Sequence, residues 1–166
     1  LEWVWPTGGK DDVMLTSARG QAIRFSEKDI RAMGRNAAGV RGMRLKGEDR
    51  IVGMGVLPAS AKKGQLQLLV VMQNGFGKRS DVDEYKQQGR GGSGIKTANT
   101  TKKTGPVVAA HVVDSDDERD VFVVTEAGQV LRSSLKSVSV LGRATQGVRV
   151  MRFKKPDDTV SSVALI

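Results

Sequence analysis

"GQVLRSSLKSVSVLGRATQGVRVMRF", residues 128–153, opens on a glycine, carries a Gly-Arg pair fourteen positions on at Gly142 and Arg143, and a Gly-Val pair nineteen positions on at Gly147 and Val148. The same frame occurs twice upstream. In "GQAIRFSEKDIRAMGRNAAGVRGMRL", residues 20–45, Gly20 leads to Gly34-Arg35 and Gly39-Val40; in "GFGKRSDVDEYKQQGRGGSGIK", residues 75–96, Gly75 leads to Gly89-Arg90 and Gly94-Ile95. No copy needs a gap, and the leading glycines lie 55 and then 53 residues apart. A period of this size marks a repeat architecture, in which one unit buries its faces against the next.

Each copy starts with an apolar run ("VMLT", "LLVV" or "VFVV"), turns at Gly20, Asn74-Gly75 or Gly128, and continues into a second short strand. A glycine between two β-forming runs is a hairpin signal. Alternation puts Ile23 and Phe25, or Leu131, on one face of the second strand and Arg24 or Arg132 on the other. One helical turn is expected next, with Ser26 and Asp29 spaced as a capping box. After the glycines a third strand is expected in "VRGMRLK" and "VRVMRFK", with Arg41, Met43 and Leu45 on one face and Arg44 and Lys46 on the other. A turn and a fourth strand complete the unit. Four short strands per copy of about fifty residues match a propeller blade. The expected fold is therefore all-β, a propeller-like array of three four-stranded blades over residues 11–57, 64–114 and 119–166, with residues 1–10 a strand of a preceding or closing blade. The stretches 58–64 and 114–118 ("DSDDE") are expected to be connectors; the latter lacks the glycine and spacing of a calcium loop.

The glycine-rich "GRGGSG" at 89–94 could be taken for a phosphate-cradling loop, but it recurs as "GRNAAG" and "GRATQG" and precedes "IKTANTT" rather than a helix. Nucleotide-loop motifs require a strand that feeds a helix. Cysteine is absent and His111 is the single histidine, in the apolar run "VVAAHVVD", so thiolate sites, multi-histidine metal sites and histidine-based catalysis lack their residues. No carboxylate pair recurs in a pocket-like context, and no catalytic residue is expected. No apolar run reaches the roughly 18 to 20 residues of a membrane helix, so no membrane partner and a cytoplasmic location are expected. The chain begins "LEWVW" without an initiator methionine, which suggests a piece of a longer protein.

Charge gives the functional lead. Lys plus Arg number 27 against 18 Asp plus Glu, a net charge of +9, with only 4% aromatic residues. A polyanion is the natural partner, and the scarcity of stacking platforms favours duplex over unpaired nucleic acid. The repeat frame locates the cations. They recur four positions after the first glycine (Arg24, Arg79, Arg132), at fifteen (Arg35, Arg90, Arg143) and at twenty-one (Arg41, Lys96, Arg149). Arg44 matches Arg152, Lys46 matches Lys154, and Lys78 adjoins Arg79. These residues are the candidate contacts to duplex phosphate, with the strand arginines favoured. The arginine after the second glycine has a competing role, satisfying carbonyls at a blade corner.

These three copies closely resemble the C-terminal domain of the DNA gyrase A family, over essentially the whole chain, with the corresponding part of topoisomerase IV its near relative. The resemblance implies a β-pinwheel, usually of about six blades, that wraps double-stranded DNA on a basic rim in support of ATP-dependent negative supercoiling. It implies as partners the rest of gyrase A, together with gyrase B, with ATP, Mg²⁺ and the cleavage tyrosine located elsewhere in the holoenzyme and no cofactor in this segment. Tyr85, the only tyrosine, occupies a repeat position held by Ile30 and Val138 and is expected to pack in the core. The family's basic glycine box resembles Gln88, Gly89, Arg90, Gly91, Gly92, Ser93 and Gly94, with Gly89 and Ser93 where basic residues are usual and in mid-array rather than on the first blade. A protein-binding propeller-like adaptor is the rival reading, and exposed end strands make self-association of a three-blade array an expectation.

Overall fold

A computed structural model describes residues 1–166. The first repeat supplies β1 (Asp12–Ser17), β2 (Gln21–Ser26) and β3 (Ile51–Leu57); the second β4 (Leu66–Met72), β5 (Phe76–Asp81), the two-residue β6 (Ile95–Lys96) and β7 (Val107–Asp114); the third β8 (Asp120–Thr125), β9 (Val130–Ser134), the two-residue β10 (Val148–Arg149) and β11 (Val160–Leu165). Helix is confined to three single 3-10 turns, one after the second strand of each repeat. Ser26 caps the first through its hydroxyl, which accepts from the Lys28 N–H, and Asp81 caps the second. Asp29 does not complete a capping box; its carboxylate instead accepts from the backbone N–H of Arg90 in the next repeat.

The sheets do not follow the repeats. Their strand orders are β3-β1-β2-β6, β10-β5-β4-β7 and β11-β8-β9. Thus β6 leaves the second repeat to pair with β2 of the first, through Gln21↔Lys96 and Ala22↔Ile95, and β10 leaves the third to pair with β5 of the second, through Phe76↔Arg149 and Gly77↔Val148. This corrects the expectation of four strands from one copy: the residues after the second glycine are handed to the preceding blade. The third sheet has three strands, because no further repeat in this chain offers one to β9. Residues 40–46 form no strand in the first repeat and 150–154 none in the third, although Met43 and Met151 are buried between exposed cations. Residues 1–10 also carry no ladder pairing, in contrast to the strand expected there.

Strand β4 lies at the centre. Leu68, Val70 and Met72 pack with Met14, Ala22, Leu57, Tyr85 and Ala110 on one side, and Leu69 and Val71 pack with Val113, Val121, Val123, Leu135 and Val160 on the other. A period of two with both faces apolar is what a strand sandwiched between blades requires. Tyr85 is buried as expected, its hydroxyl against that of Thr97; burial pushes its pKa up to about 12. The edge strand β7 approaches both β3 and β11, edge strands of the other two sheets. A Cβ at Gly53 would lie 2.3 Å from the Ala110 carbonyl oxygen, so only glycine permits the β3–β7 approach. The exchanged strands β6 and β10 occupy the opposite edge of their sheets, and it is on that outer edge that the recurring cations must be sought.

Candidate nucleic-acid interface

The expected phosphate contacts divide into cations that the fold uses and cations that it leaves free. Lys78 belongs to the first group and is fully buried, at 0% exposure. Its ammonium donates to Ser80 Oγ at 3.0 Å, to the Gly142 carbonyl at 2.7 Å and to the Arg143 carbonyl at 2.6 Å, so its three protons meet three acceptors, two of them from the next repeat. Burial pulls its pKa down to about 8, with the Glu84 carboxylate opposing. Arg79, at 6% exposure, donates through Nε to the Val138 carbonyl and through Nη2 to that of Lys136. Neither Lys78 nor Arg79 reaches solvent, which removes both from the interface. They join the second blade to the third.

The two strand arginines that match Arg79 are tied by carboxylates. Arg24 Nε lies 2.7 Å from Asp12 Oδ2 and Arg132 Nε 2.6 Å from Asp120 Oδ2, with side-chain exposures of 26% and 70%. A cation already facing a carboxylate carries a weakened field toward phosphate. The strand arginines favoured from the sequence are thus less free than the unpaired cations.

The arginine after the second glycine takes the corner role. Arg90 donates through Nη1 to the Arg41 carbonyl at 2.6 Å and through Nε to the Asp29 carbonyl at 3.1 Å. Arg143 repeats the contact one blade on, donating through Nη1 to the Lys96 carbonyl at 2.8 Å. Arg35, the copy with no preceding repeat within this chain, is exposed and makes no hydrogen bond. The glycine box follows Arg90. Gln88 N–H donates to the Arg24 carbonyl, Gly91 N–H to that of Gly42, and the Gly92 carbonyl accepts from Arg44 N–H, while Gly89 is exposed and Ser93 lies at the surface. In this chain the box fastens the second blade to the first.

What remains free forms a consistent set. Arg41, Lys96 and Arg149, the cations at position twenty-one, are all exposed and have no ion-pair partner. Lys96 and Arg149 stand on β6 and β10, the exchanged strands at the outer edge, and the Arg149 guanidinium lies 4.7 Å from the centre of the Phe76 ring. Arg44, Lys46, Arg152 and Lys154 are exposed in the loops that follow. Lys102 and Lys103, which sequence reasoning missed, occupy the corresponding loop of the second repeat; both are exposed, and Asn74 Nδ2 donates to both of their carbonyls at 3.1 Å. The signal was present in "TKKTG", shifted by one position from Lys46 and Lys154.

Nothing in this arrangement resembles an acid–base centre. His111 lies on β7, half-buried, with Nε2 lacking a hydrogen-bond partner. Burial, aided by Arg119, pulls its pKa below the usual histidine value.

The family model of the DNA gyrase C-terminal domain, beta-propeller, matches residues 11–58, 67–114 and 119–166. The chain is 41% identical over 154 residues to the DNA gyrase A subunit of Salmonella typhimurium, covering 93% of this chain and 17% of that protein. It is 42% identical over 147 residues to the DNA gyrase A subunit of Staphylococcus epidermidis, covering 89% and 16%. The chain thus spans about a sixth of the length of these curated relatives. Among solved structures it is similar to a DNA gyrase A C-terminal domain, with a TM-score of 0.79, 29% identity, and coverage of 94% of this chain and 50% of the other. A DNA topoisomerase IV C-terminal domain shares the fold at a TM-score of 0.81 and 23% identity, with coverage of 95% and 47%.

Proposed function

From the premise that the chain belongs to the DNA gyrase C-terminal domain family, we propose that it binds duplex DNA along its outer edge and bends it across successive blades, as the DNA-wrapping part of a gyrase A protein that supports ATP-dependent supercoiling. One observation carries the reading: the same repeat position presents an exposed, unpaired cation three times, as Arg41, Lys96 and Arg149. Arg44, Arg152, Lys46 and Lys154 extend the row. Such a surface neutralises phosphates in sequence along a backbone and reads no bases. Steps between blades are fixed by the strand exchange, so a duplex that meets all three blades must curve to do so. Catalysis, nucleotide binding and contacts with gyrase B belong in this reading to other parts of the whole protein.

The test is the affinity for a mixed-sequence duplex, read by fluorescence anisotropy from about 50 to about 200 mM salt. Seven phosphate contacts give a log–log slope of about −6, a loss of roughly four-thousand-fold over that range. Reversing Arg41, Lys96 and Arg149 to glutamate should flatten the slope by about 3. A wild-type slope near zero, or a triple variant with unchanged slope, would sink the proposal.

A further inference from the structure

Beyond the row of edge cations, the first blade has a cavity with a cationic lining, whereas the cavity beside the β8–β9 turn of the third blade is lined by Glu126, Lys155, Asp157 and Asp158. The cationic cavity measures about 330 Å³ and is lined by Arg19 and Gln21 from the β1–β2 turn, Arg44, Lys46 and Asp49 from the loop before β3, and Ser93 from the second repeat. The Arg19, Arg44 and Lys46 side chains form no hydrogen bond and no ion pair. The Asp49 carboxylate is turned to the backbone instead, with Oδ1 accepting from the N–H groups of Arg19 and Arg50 at 2.9 Å each. Three unpaired cations from two separate segments thus share one recess with a serine hydroxyl contributed by the neighbouring repeat.

In each of the other blades a side chain of the corresponding turn is bonded to the loop that follows. Asn74, which matches Arg19, donates to the Lys102 and Lys103 carbonyls and draws its loop down. Gln129, which matches Gln21, donates to the Arg152 carbonyl at 2.9 Å and accepts from Lys154 N–H at 2.9 Å. In the first blade the Arg19 and Gln21 side chains make no such bond and line the recess together with Arg44 and Lys46.

We propose that this recess, between the β1–β2 turn, the 43–49 loop and Ser93, is a binding site for a single phosphodiester group. The inference rests on the duplex reading and gives it a fixed point: the recess holds one phosphate of the backbone while the edge cations track its neighbours. Three cation side chains from two segments, with a hydroxyl donor beside them, suit an oxyanion bearing several acceptor oxygens. A phosphate monoester or inorganic phosphate shares that chemistry, so the test separates the sources.

Amide spectra of Arg44, Ser93 and Gly94 would be followed during titration with inorganic phosphate and, separately, dimethyl phosphate, while duplex affinity is measured against salt. Saturable shifts confined to these amides are expected, and they should disappear in the Arg19→Gln, Arg44→Gln, Lys46→Gln variant. That variant should also lower the duplex salt slope by about 2 to 3. A charge-matched control, Lys10→Gln, Lys62→Gln, Lys63→Gln, changes exposed lysines outside the recess and should leave the shifts intact. Steep duplex binding with no amide shifts and an unchanged slope in the recess variant would overturn the pocket and leave the edge reading standing. Saturable phosphate shifts without detectable duplex binding would overturn the edge reading and keep the recess as a site for free phosphate. Absence of both would overturn both.

Discussion

Gly39 and Gly94 hold the same place in the first and second repeats and the same left-handed backbone, with φ of 81° and 72°. Their surroundings differ. A Cβ at Gly39 would meet nothing within 4 Å, whereas at Gly94 it would lie 2.5 Å from the Ala22 carbonyl oxygen and 2.8 Å from its carbon. Alanine at either site costs about 1 to 2 kcal/mol for the left-handed conformation. At Gly94 it adds a collision with backbone that cannot rotate away, in a sheet where Ala22 pairs with Ile95. Overpacking of this kind costs about 1 to 3 kcal/mol more. Gly94→Ala should therefore lose about 2 to 5 kcal/mol and Gly39→Ala no more than about 2. With a urea m-value of about 2 kcal/mol/M, the two midpoints should differ by about 0.5 to 1.5 M. Circular dichroism during urea unfolding reads that difference directly. Equal midpoints for the two variants would refute strand exchange as the reason for the repeated glycine.

Other expectations follow from the same contacts. Arg143→Gln removes a charged donor from the Lys96 carbonyl and should cost about 1.5 to 3 kcal/mol, whereas Arg35→Gln, on an exposed and unbonded copy, should stay within about 0.5 kcal/mol in the same unfolding assay. Lys78 has a folded pKa near 8 against an ordinary value of 10.5, so the unfolded chain binds more protons between those values and its contribution makes stability rise with pH across that window. Urea midpoints measured from pH 7.5 to 10.5 should show that rise in the wild type and lose it in Lys78→Met; parallel profiles would remove Lys78 as the cause. Strand β9 has an unpaired outer edge with Val130 exposed, so concentration-dependent association should appear in sedimentation velocity and weaken in Val130→Lys. A monomer at every concentration would contradict that.

Much of the blade was legible because its demands are local. A positive-φ glycine at a turn and alternating apolar residues along a strand leave marks within a few residues, and three copies in register made them unmistakable. Strand exchange left no such mark. Ile95 and Lys96 read as a strand whichever sheet accepts them, and their acceptor, Gln21 and Ala22, lies more than seventy positions away. Burial of Lys78 was available and overlooked: it stands in register with Ile23 and Leu131, both on the apolar face. Arg79 was not available by this route. It shares its position with Arg24 and Arg132, and the next repeat folds over Arg24 in the same way, but Gln67 stands where Asp12 and Asp120 pair with those two arginines, and the Arg79 guanidinium turns to the Val138 and Lys136 carbonyls instead.

The exchange also explains why shared register and exposure do not coincide among the cations. At each junction one arginine spends its guanidinium on a backbone carbonyl of the preceding repeat, and that carbonyl belongs to the residue at position twenty-one: Arg90 holds Arg41, and Arg143 holds Lys96. The held residue keeps its own charge in solvent, on a backbone that can no longer drift. A pairing of this kind makes Arg90 and Arg143 fasteners and fixes the backbone that carries Arg41 and Lys96. Fixed spacing is what a stiff, regularly charged rod demands of a surface that must bend it, because a cation on a mobile loop would follow the straight duplex instead of resisting it. On the proposed duplex reading Arg90 and Arg143 would act through the residues they hold, and their loss should weaken duplex bending before it weakens duplex affinity.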